Sequence, residues 1–163
     1  MATRVACSNR PRNIGDMTSE VRECSVARTL DLIGAKWTLL AVREMLLGSH
    51  RFDEIARRTG APRDILTARL RRLETQGLVH RVQYENRPPR FEYHLTDLGE
   101  ALAPVIATMR EFGDRHLADE AGPPLRFEHS CGSAYQPVLA CSACGEVVER
   151  GEVSIADSPS IAK

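Results

Sequence analysis

The chain has 163 residues, 42% hydrophobic but only 5% aromatic, and its 22 Lys and Arg balance 22 Asp and Glu. That length supports one good core plus a small appendage. No apolar run approaches the ~20 residues of a membrane span, and the N-terminus lacks the hydrophobic segment of a secretory signal. A cytoplasmic location is the expectation. In such a reducing compartment the five cysteines read as thiols, metal ligands or redox switches rather than structural disulfides.

Residues 1–20 (MATRVACSNRPRNIGDMTSE) show no apolar period and carry Pro, Gly, Asn and Ser, the composition of a mobile arm. The main ordered unit is expected over 21–118. Val26, Leu30 and Ile33 recur at three- and four-residue steps and predict a helix that Gly34 ends. Lys36-Trp37-Thr38 opens a second helix. Its Leu39, Leu40, Val42, Leu46 and Leu47 wrap most of the surface, so it lies in the middle of the core or at a subunit contact, and Gly48 stops it. A short helix from Phe52 ends at Thr59-Gly60. Ala61-Pro62 starts another, because Pro suits the first helical turn. On this helix Leu66, Leu70 and Leu73 share one face, with Asp64, Thr67, Ala68, Arg71 and Arg72 around the opposite one, and Gly77 is the stop. Residues 78–84 alternate as a strand, 85–90 form a polar loop with two prolines, and 91–95 alternate again.

Thr96 caps a last helix, with Gly99 standing where a capping box prefers Glu. Leu98, Leu102, Val105, Ile106, Met109 and Phe112 carry its apolar stripe to about residue 117, and Pro104 inside it predicts a bend. Gly122-Pro123-Pro124 reads as a linker. A small Cys- and Gly-containing module follows over 125–150, and a flexible tail over 151–163.

Although the chain is neutral, residues 51–90 hold ten Arg and only five acidic residues. The same window has the order helix, turn, helix, strand, Arg-Pro-Pro-Arg tip, strand. A mainly α fold with a small β-hairpin wing, the winged helix-turn-helix, is therefore expected. Its basic face points to the phosphates of double-stranded DNA.

Three segments carry a family resemblance: Cys24 to Leu40 (CSVARTLDLIGAKWTLL), Arg51-Phe52-Asp53-Glu54-Ile55, and Leu66 to Glu74 continuing through Gly77-Leu78-Val79 to Pro88-Pro89-Arg90-Phe91-Glu92-Tyr93-His94-Leu95-Thr96. Together they span about residues 24–115. The chain resembles the HxlR-type transcriptional regulators, a winged-helix branch related to the MarR regulators. It departs from that pattern at Ser25, usually Pro, and at Ala61, usually Ser. Ala caps a helix about 1 kcal/mol less well than Ser, and Asp64 in the first turn recovers part of that through the helix dipole.

The resemblance implies that the helix over 62–75 enters the major groove. Arg63, Thr67, Arg71 and Arg72 would then meet bases and phosphates, with Arg87 and Arg90 at the hairpin tip meeting the minor groove or its flanking phosphates. A solvated arginine surface is the plain alternative. It also implies a homodimer paired through the helices over 25–34 and 97–117, acting as a repressor on an inverted-repeat operator; packing of both stripes within one chain is the alternative. In some relatives the cysteine matching Cys24 senses oxidants or electrophiles. At a helix start the dipole can lower a thiol's pKa, with Cys7 as a candidate resolving partner, while a structural thiol fits the same position. A small apolar effector between the dimer helices is a further expectation.

In the C-terminal module His129-Ser130-Cys131-Gly132 precedes Cys141-Ser142-Ala143-Cys144-Gly145. His129, Cys131, Cys141 and Cys144 offer one imidazole and three thiolates, the donor set of a structural zinc site in a zinc-ribbon-like appendage. A segment with so few apolar residues would draw its folding energy from the metal. A Cys141–Cys144 redox disulfide and free thiols are the other readings. No Ser/His/Asp order, paired carboxylates or phosphate-binding glycine loop suggests an enzyme. The rival to a DNA reader is a thiol- or metal-sensing protein-interaction module.

Overall fold

The computed structural model describes residues 24–156. The expected arm over 1–20, with Cys7, and the end of the tail over 151–163 lie outside the described residues. The elements are α1 (Ser25–Ile33), α2 (Lys36–Leu46), α3 (Phe52–Thr59), α4 (Arg63–Thr75), β1 (Val79–Asn86), β2 (Pro89–Leu95), α5 (Asp97–Glu100) and α6 (Ala103–His116).

Helix α2 is the hub. Its Ala41, Val42 and Met45 are buried against Ile55 of α3, Leu66, Leu70 and Leu73 of α4, and Leu78 and Val79 at the root of the hairpin. One charge is buried with them: Glu44 is 3% exposed and accepts two hydrogen bonds from Arg43, at 3.0 and 2.6 Å. An isolated buried carboxylate would cost several kcal/mol, so this partner is required. Gly60 closes α3 in the left-handed region (φ 70°), which only glycine adopts without strain, and turns the chain into α4.

The hairpin is longer than the alternation predicts. Strands β1 and β2 pair antiparallel from Val79↔Leu95 out to Asn86↔Pro89, with an irregularity between Gln83 and Glu85. The predicted six-residue loop thus shrinks to Arg87-Pro88. The outer rungs are exposed on both faces, so nothing there demands apolar alternation, and Pro89 is tolerated as the first residue of its strand. The chain before α3 adds one further rung, with Arg51 bridging Glu92 and the Tyr93 N–H donating to the His50 carbonyl at 2.8 Å.

The predicted single last helix is broken rather than bent. Pro104 has no N–H, and its ring opposes the carbonyl four residues back. The first segment therefore ends at Glu100 and α6 restarts at Ala103. The partial cap forms as predicted: the Gly99 N–H donates to the Thr96 hydroxyl oxygen at 3.2 Å, while that hydroxyl donates to the Gly77 carbonyl at 2.6 Å. A side chain at Gly99 would collide with the Leu78 carbonyl oxygen and press on Leu95. That collision is why the Glu of a full capping box is absent.

Only Ile33 of α1 is buried, and α6 buries no residue fully. Val26 and Leu30 of α1, and Val105, Met109 and Phe112 of α6, are exposed. These stripes are therefore not used up inside the described part of one chain. After α6 the described chain has no helix or strand, only the bridges Glu128↔Ala134 and Ala140↔Val147. Among the described residues no helix is long and apolar enough to cross a membrane.

Candidate nucleic-acid interface

Helix α4 is an amphipathic rod. At about 100° per residue, Leu66, Leu70 and Leu73 fall on one side and are at most 1% exposed. Arg63, Thr67 and Arg71 recur at four-residue steps along one edge of the outward side. The Thr67 hydroxyl donates to the Arg63 carbonyl at 2.7 Å, leaving its oxygen lone pairs and methyl group outward. The Arg63 guanidinium lies 4.8 Å over the Phe52 ring and pairs with Asp53 at 2.7 Å, so it is held beside the N-terminus of α3. Both members of that pair are largely exposed, and such a pair contributes at most about 1 kcal/mol.

Arg72 is exposed on the outward side as well, but it is also engaged with a neighbouring helix. Its guanidinium donates to the Asp31 carbonyl near the end of α1, at 2.6 Å. It sits about 100° around α4 from Arg71 and braces α1 instead of joining the Arg63–Thr67–Arg71 row. A helical wheel places Arg72 on the outward side but cannot show the neighbouring helix that its guanidinium reaches.

The wing is oriented by charge. Arg81 donates to Glu74 of α4 at 2.8 Å and lies over Phe91, which ties β1 to α4. Arg51 donates to Glu92 at 3.1 Å and stacks 4.6 Å over Tyr84, which ties the start of α3 to both strands. The Arg51 hydrogen bond, followed by His94, holds the Glu92 carboxyl below its ordinary range. At the tip, Arg90 pairs with its cross-strand neighbour Glu85 at 3.2 Å. Arg87 is exposed and joins no ion pair among the described residues.

By sequence His50, His80 and His94 have no partnered spacing and read as surface or core residues. His50, His94 and His80 form a row across the hairpin root, with ring centroids 4.2 Å apart for His50–His94 and 5.8 Å for His80–His94. His50 Nδ1 hydrogen-bonds the Tyr93 carbonyl at 3.1 Å. The signal for His80 and His94 was their pairing in register; His50 lies too far away in sequence to show one.

Against this geometry, the HxlR-like helix-turn-helix family model matches residues 32–121. The chain belongs to the HxlR-like helix-turn-helix family. An uncharacterized HTH-type transcriptional regulator of Mycobacterium tuberculosis is 39% identical over 147 residues, covering 90% of this chain and 93% of the relative. Among solved structures, PA1607, a candidate transcription factor, superposes with a TM-score of 0.73 at 30% identity, covering 85% of this chain and 97% of that one. The redox regulator HypR in its reduced form superposes with a TM-score of 0.53 at 39% identity, covering 58% of this chain and 96% of its own. The chain is thus a transcriptional regulator built on a winged helix-turn-helix and not an enzyme, and its HxlR-like unit ends before the cysteine-bearing segment.

Two other sets of predicted residues lie off the basic face. Cys24 is the N-cap residue of α1, in extended conformation and half-buried, and its carbonyl accepts the Arg28 N–H at 3.1 Å. In the C-terminal segment two turns are built alike. In one, Gly132 N–H donates to the His129 carbonyl and His129 N–H to the Ser133 carbonyl. In the other, Gly145 N–H donates to the Cys141 carbonyl and Cys141 N–H to the Glu146 carbonyl. Both turns favour a thiolate. The backbone N–H of Ser133 and then its hydroxyl lower the Cys131 pKa; the backbone N–H groups of Cys144 and Ala143, then the Cys144 thiol, lower that of Cys141. None of the four described cysteines is in a disulfide. Among the described residues no three or more His, Cys, Asp or Glu side chains are gathered to hold a metal ion. His129 and Cys131 thus lie in one turn, and Cys141 and Cys144 in the other.

Proposed function

We propose that this regulator is a homodimeric repressor that reads an inverted-repeat operator through α4 and holds its flanks with the wing. One observation carries the reading: Arg63, Thr67 and Arg71 form a continuous row on a leucine-backed helix, beside a hairpin braced by Arg81 and Arg51 and tipped with Arg87 and Arg90. Arginine can meet a guanine edge with two hydrogen bonds, and threonine a thymine methyl or a phosphate. The exposed stripes of α1 and α6 are apolar and continuous enough to pair two copies. Two-fold pairing would set two α4 helices about one DNA turn apart. The test is selection of sequences bound by the full chain from a random duplex pool. Two inverted half-sites about 10 base pairs apart, centre to centre, are expected; a single asymmetric site would overturn the dimeric reading.

Cys24 is the proposed thiol switch within this reading. The likeness to HypR, a redox regulator, and the thiol's place at the start of α1, beside the proposed dimer stripe, support it. Peroxide is expected to release DNA from the wild type and not from Cys24→Ser. Equal release from both would remove Cys24 from that role.

Zinc is proposed as the ligand of the C-terminal turns, with His129 and Cys131 from one and Cys141 and Cys144 from the other. The paired turns, each lowering a cysteine pKa, support it, since the thiolate is the form that binds metal. Bringing the two turns together is the folding step that the ion would drive. Protein purified without chelator is expected to carry about one zinc per chain; metal-free protein under those conditions would contradict the site.

A further inference from the structure

Between α2, α6 and the segment that returns after Gly122 lies a cavity of about 520 Å³, within the ~300–1,000 Å³ range of small-molecule sites. Leu46 and Leu47 wall it from the last turn of α2, Ile106 and Ala107 from α6, and Leu125 and Phe127 from the returning strap. We propose that this cavity binds a neutral, aromatic small molecule, and that occupancy changes the affinity of the regulator for DNA. The second half rests on the proposed operator-binding role.

The ligand class follows from the lining. Three charged side chains reach the cavity: Arg43, Arg110 and Asp114. Each is already answered. Arg43 is held by the buried Glu44 at 2.6 Å and Arg110 by Asp114 at 3.1 Å. An ionic ligand would have to displace one of these partners, leaving a half-buried or buried carboxylate uncompensated. The remaining surface is aliphatic, proline or aromatic, which favours a ring that stacks on Phe127 and Tyr135. One side chain holds the strap in place. Arg110 lies 4.5 Å over Phe127 and 5.7 Å over Tyr135 and approaches the Tyr135 carbonyl at 3.4 Å.

The strap lies beyond residues 32–121 matched by the family model, so one wall of this cavity comes from outside the shared winged-helix unit. The cavity also faces away from the proposed dimer stripe. Ala103, Ile106, Ala107 and Arg110 point to one side of α6, while Val105, Met109 and Phe112 point roughly to the opposite side.

The route to the DNA face is short. Leu46 ends α2 and Leu47 caps it, and after the four residues 48–51 the chain enters α3 at Phe52. Within that connection the His50 carbonyl accepts the Tyr93 N–H of the wing at 2.8 Å, and the Arg51 carbonyl accepts the Ile55 N–H of α3 at 3.0 Å. A ligand that displaces the last turn of α2 therefore moves the root of the wing and the start of α3 together, and Arg63 is paired to that start through Asp53.

The test titrates the full chain with N-phenyl-1-naphthylamine, a neutral aromatic dye whose emission rises in apolar surroundings. Saturable binding of about one dye per chain is expected. Ala107→Trp, which fills the cavity and leaves the opposite face of α6 untouched, is expected to weaken it at least tenfold. Ala103→Phe serves the same purpose if the tryptophan variant loses its far-ultraviolet circular dichroism. Saturating dye is expected to shift wild-type DNA affinity about fivefold or more, the usual scale of allosteric coupling, and to leave Ala107→Trp unmoved. Non-saturable binding, or equal binding by both filled variants, overturns the site. Binding without a shift in DNA affinity overturns the regulatory role. Failure of the dye-free protein to bind any DNA would instead refute the operator-binding reading and the coupling with it, and the dye titration would still decide the cavity.

Discussion

Alanine at Arg71 is expected to weaken binding to the selected operator by about 1–3 kcal/mol and to relax the preference at one base position of each half-site. The reasoning is geometric. Arg71 is exposed, stands on the same edge of α4 as Arg63 and Thr67, and no ion pair occupies it among the described residues, so its five donors are available to a base edge. Arg63 should behave similarly, because the exposed Asp53 pair that it must give up is worth less than a bidentate base contact. Arg72→Ala is the internal comparison. Its guanidinium is engaged with the Asp31 carbonyl, so its loss should weaken the α1–α4 brace and leave base preference unchanged. Fluorescence anisotropy on operators mutated one pair at a time distinguishes the two. A loss of base preference in Arg72→Ala, with none in Arg71→Ala, would put the wrong edge of α4 in the groove.

The second large effect concerns stability. Gly99→Ala is expected to destabilise the chain by about 1–3 kcal/mol, read as a lower urea midpoint. The added methyl would run into the Leu78 carbonyl oxygen, and that carbonyl is fixed by the Thr96 N–H at 3.0 Å. A clash with backbone cannot be relieved by a rotamer change. Gly113→Ala makes the contrast. It lies within α6 with nothing within 4 Å of the added methyl, so there alanine should stabilise by about 0.5–1 kcal/mol. An unchanged midpoint for Gly99→Ala would mean that α5 does not pack on the hairpin root as described.

Much of the fold was legible because it is local. Gly34, Gly48, Gly60 and Gly77 marked the helix ends, and the leucine spacing of α4 identified its buried side. The errors occurred where a residue's role depends on a distant partner. The bond from Arg72 to the Asp31 carbonyl could not be read before α1 was placed beside α4. Pro104 was expected to bend a helix that it interrupts, because the hairpin root holds α5 through Thr96 and Gly77. The outer rungs of the wing carry no apolar alternation, so sequence alone shortened the strands. His50 joins His80 and His94 only through the rung that the chain before α3 adds to β2. The cavity was not legible: the expected effector site lay between the dimer helices, whereas this cavity lies between α2, α6 and a strap remote from them in sequence. In the cysteine-bearing segment the C-x-x-C-G spacing announced its turn, whereas His129 and Cys131, two apart as on one face of a strand, lie in a turn instead.

The measurement that bears most directly on the central claim is the affinity of the full chain for double-stranded DNA as a function of salt. If the row on α4 and the arginines of the wing lie on phosphates and bases, log K should fall linearly with log salt, with a slope of about −0.9 for each phosphate neutralised. Arg87→Ala should reduce the steepness of that slope by about one unit. An affinity indifferent to salt, or no binding at low salt, would contradict the assignment of this face to DNA.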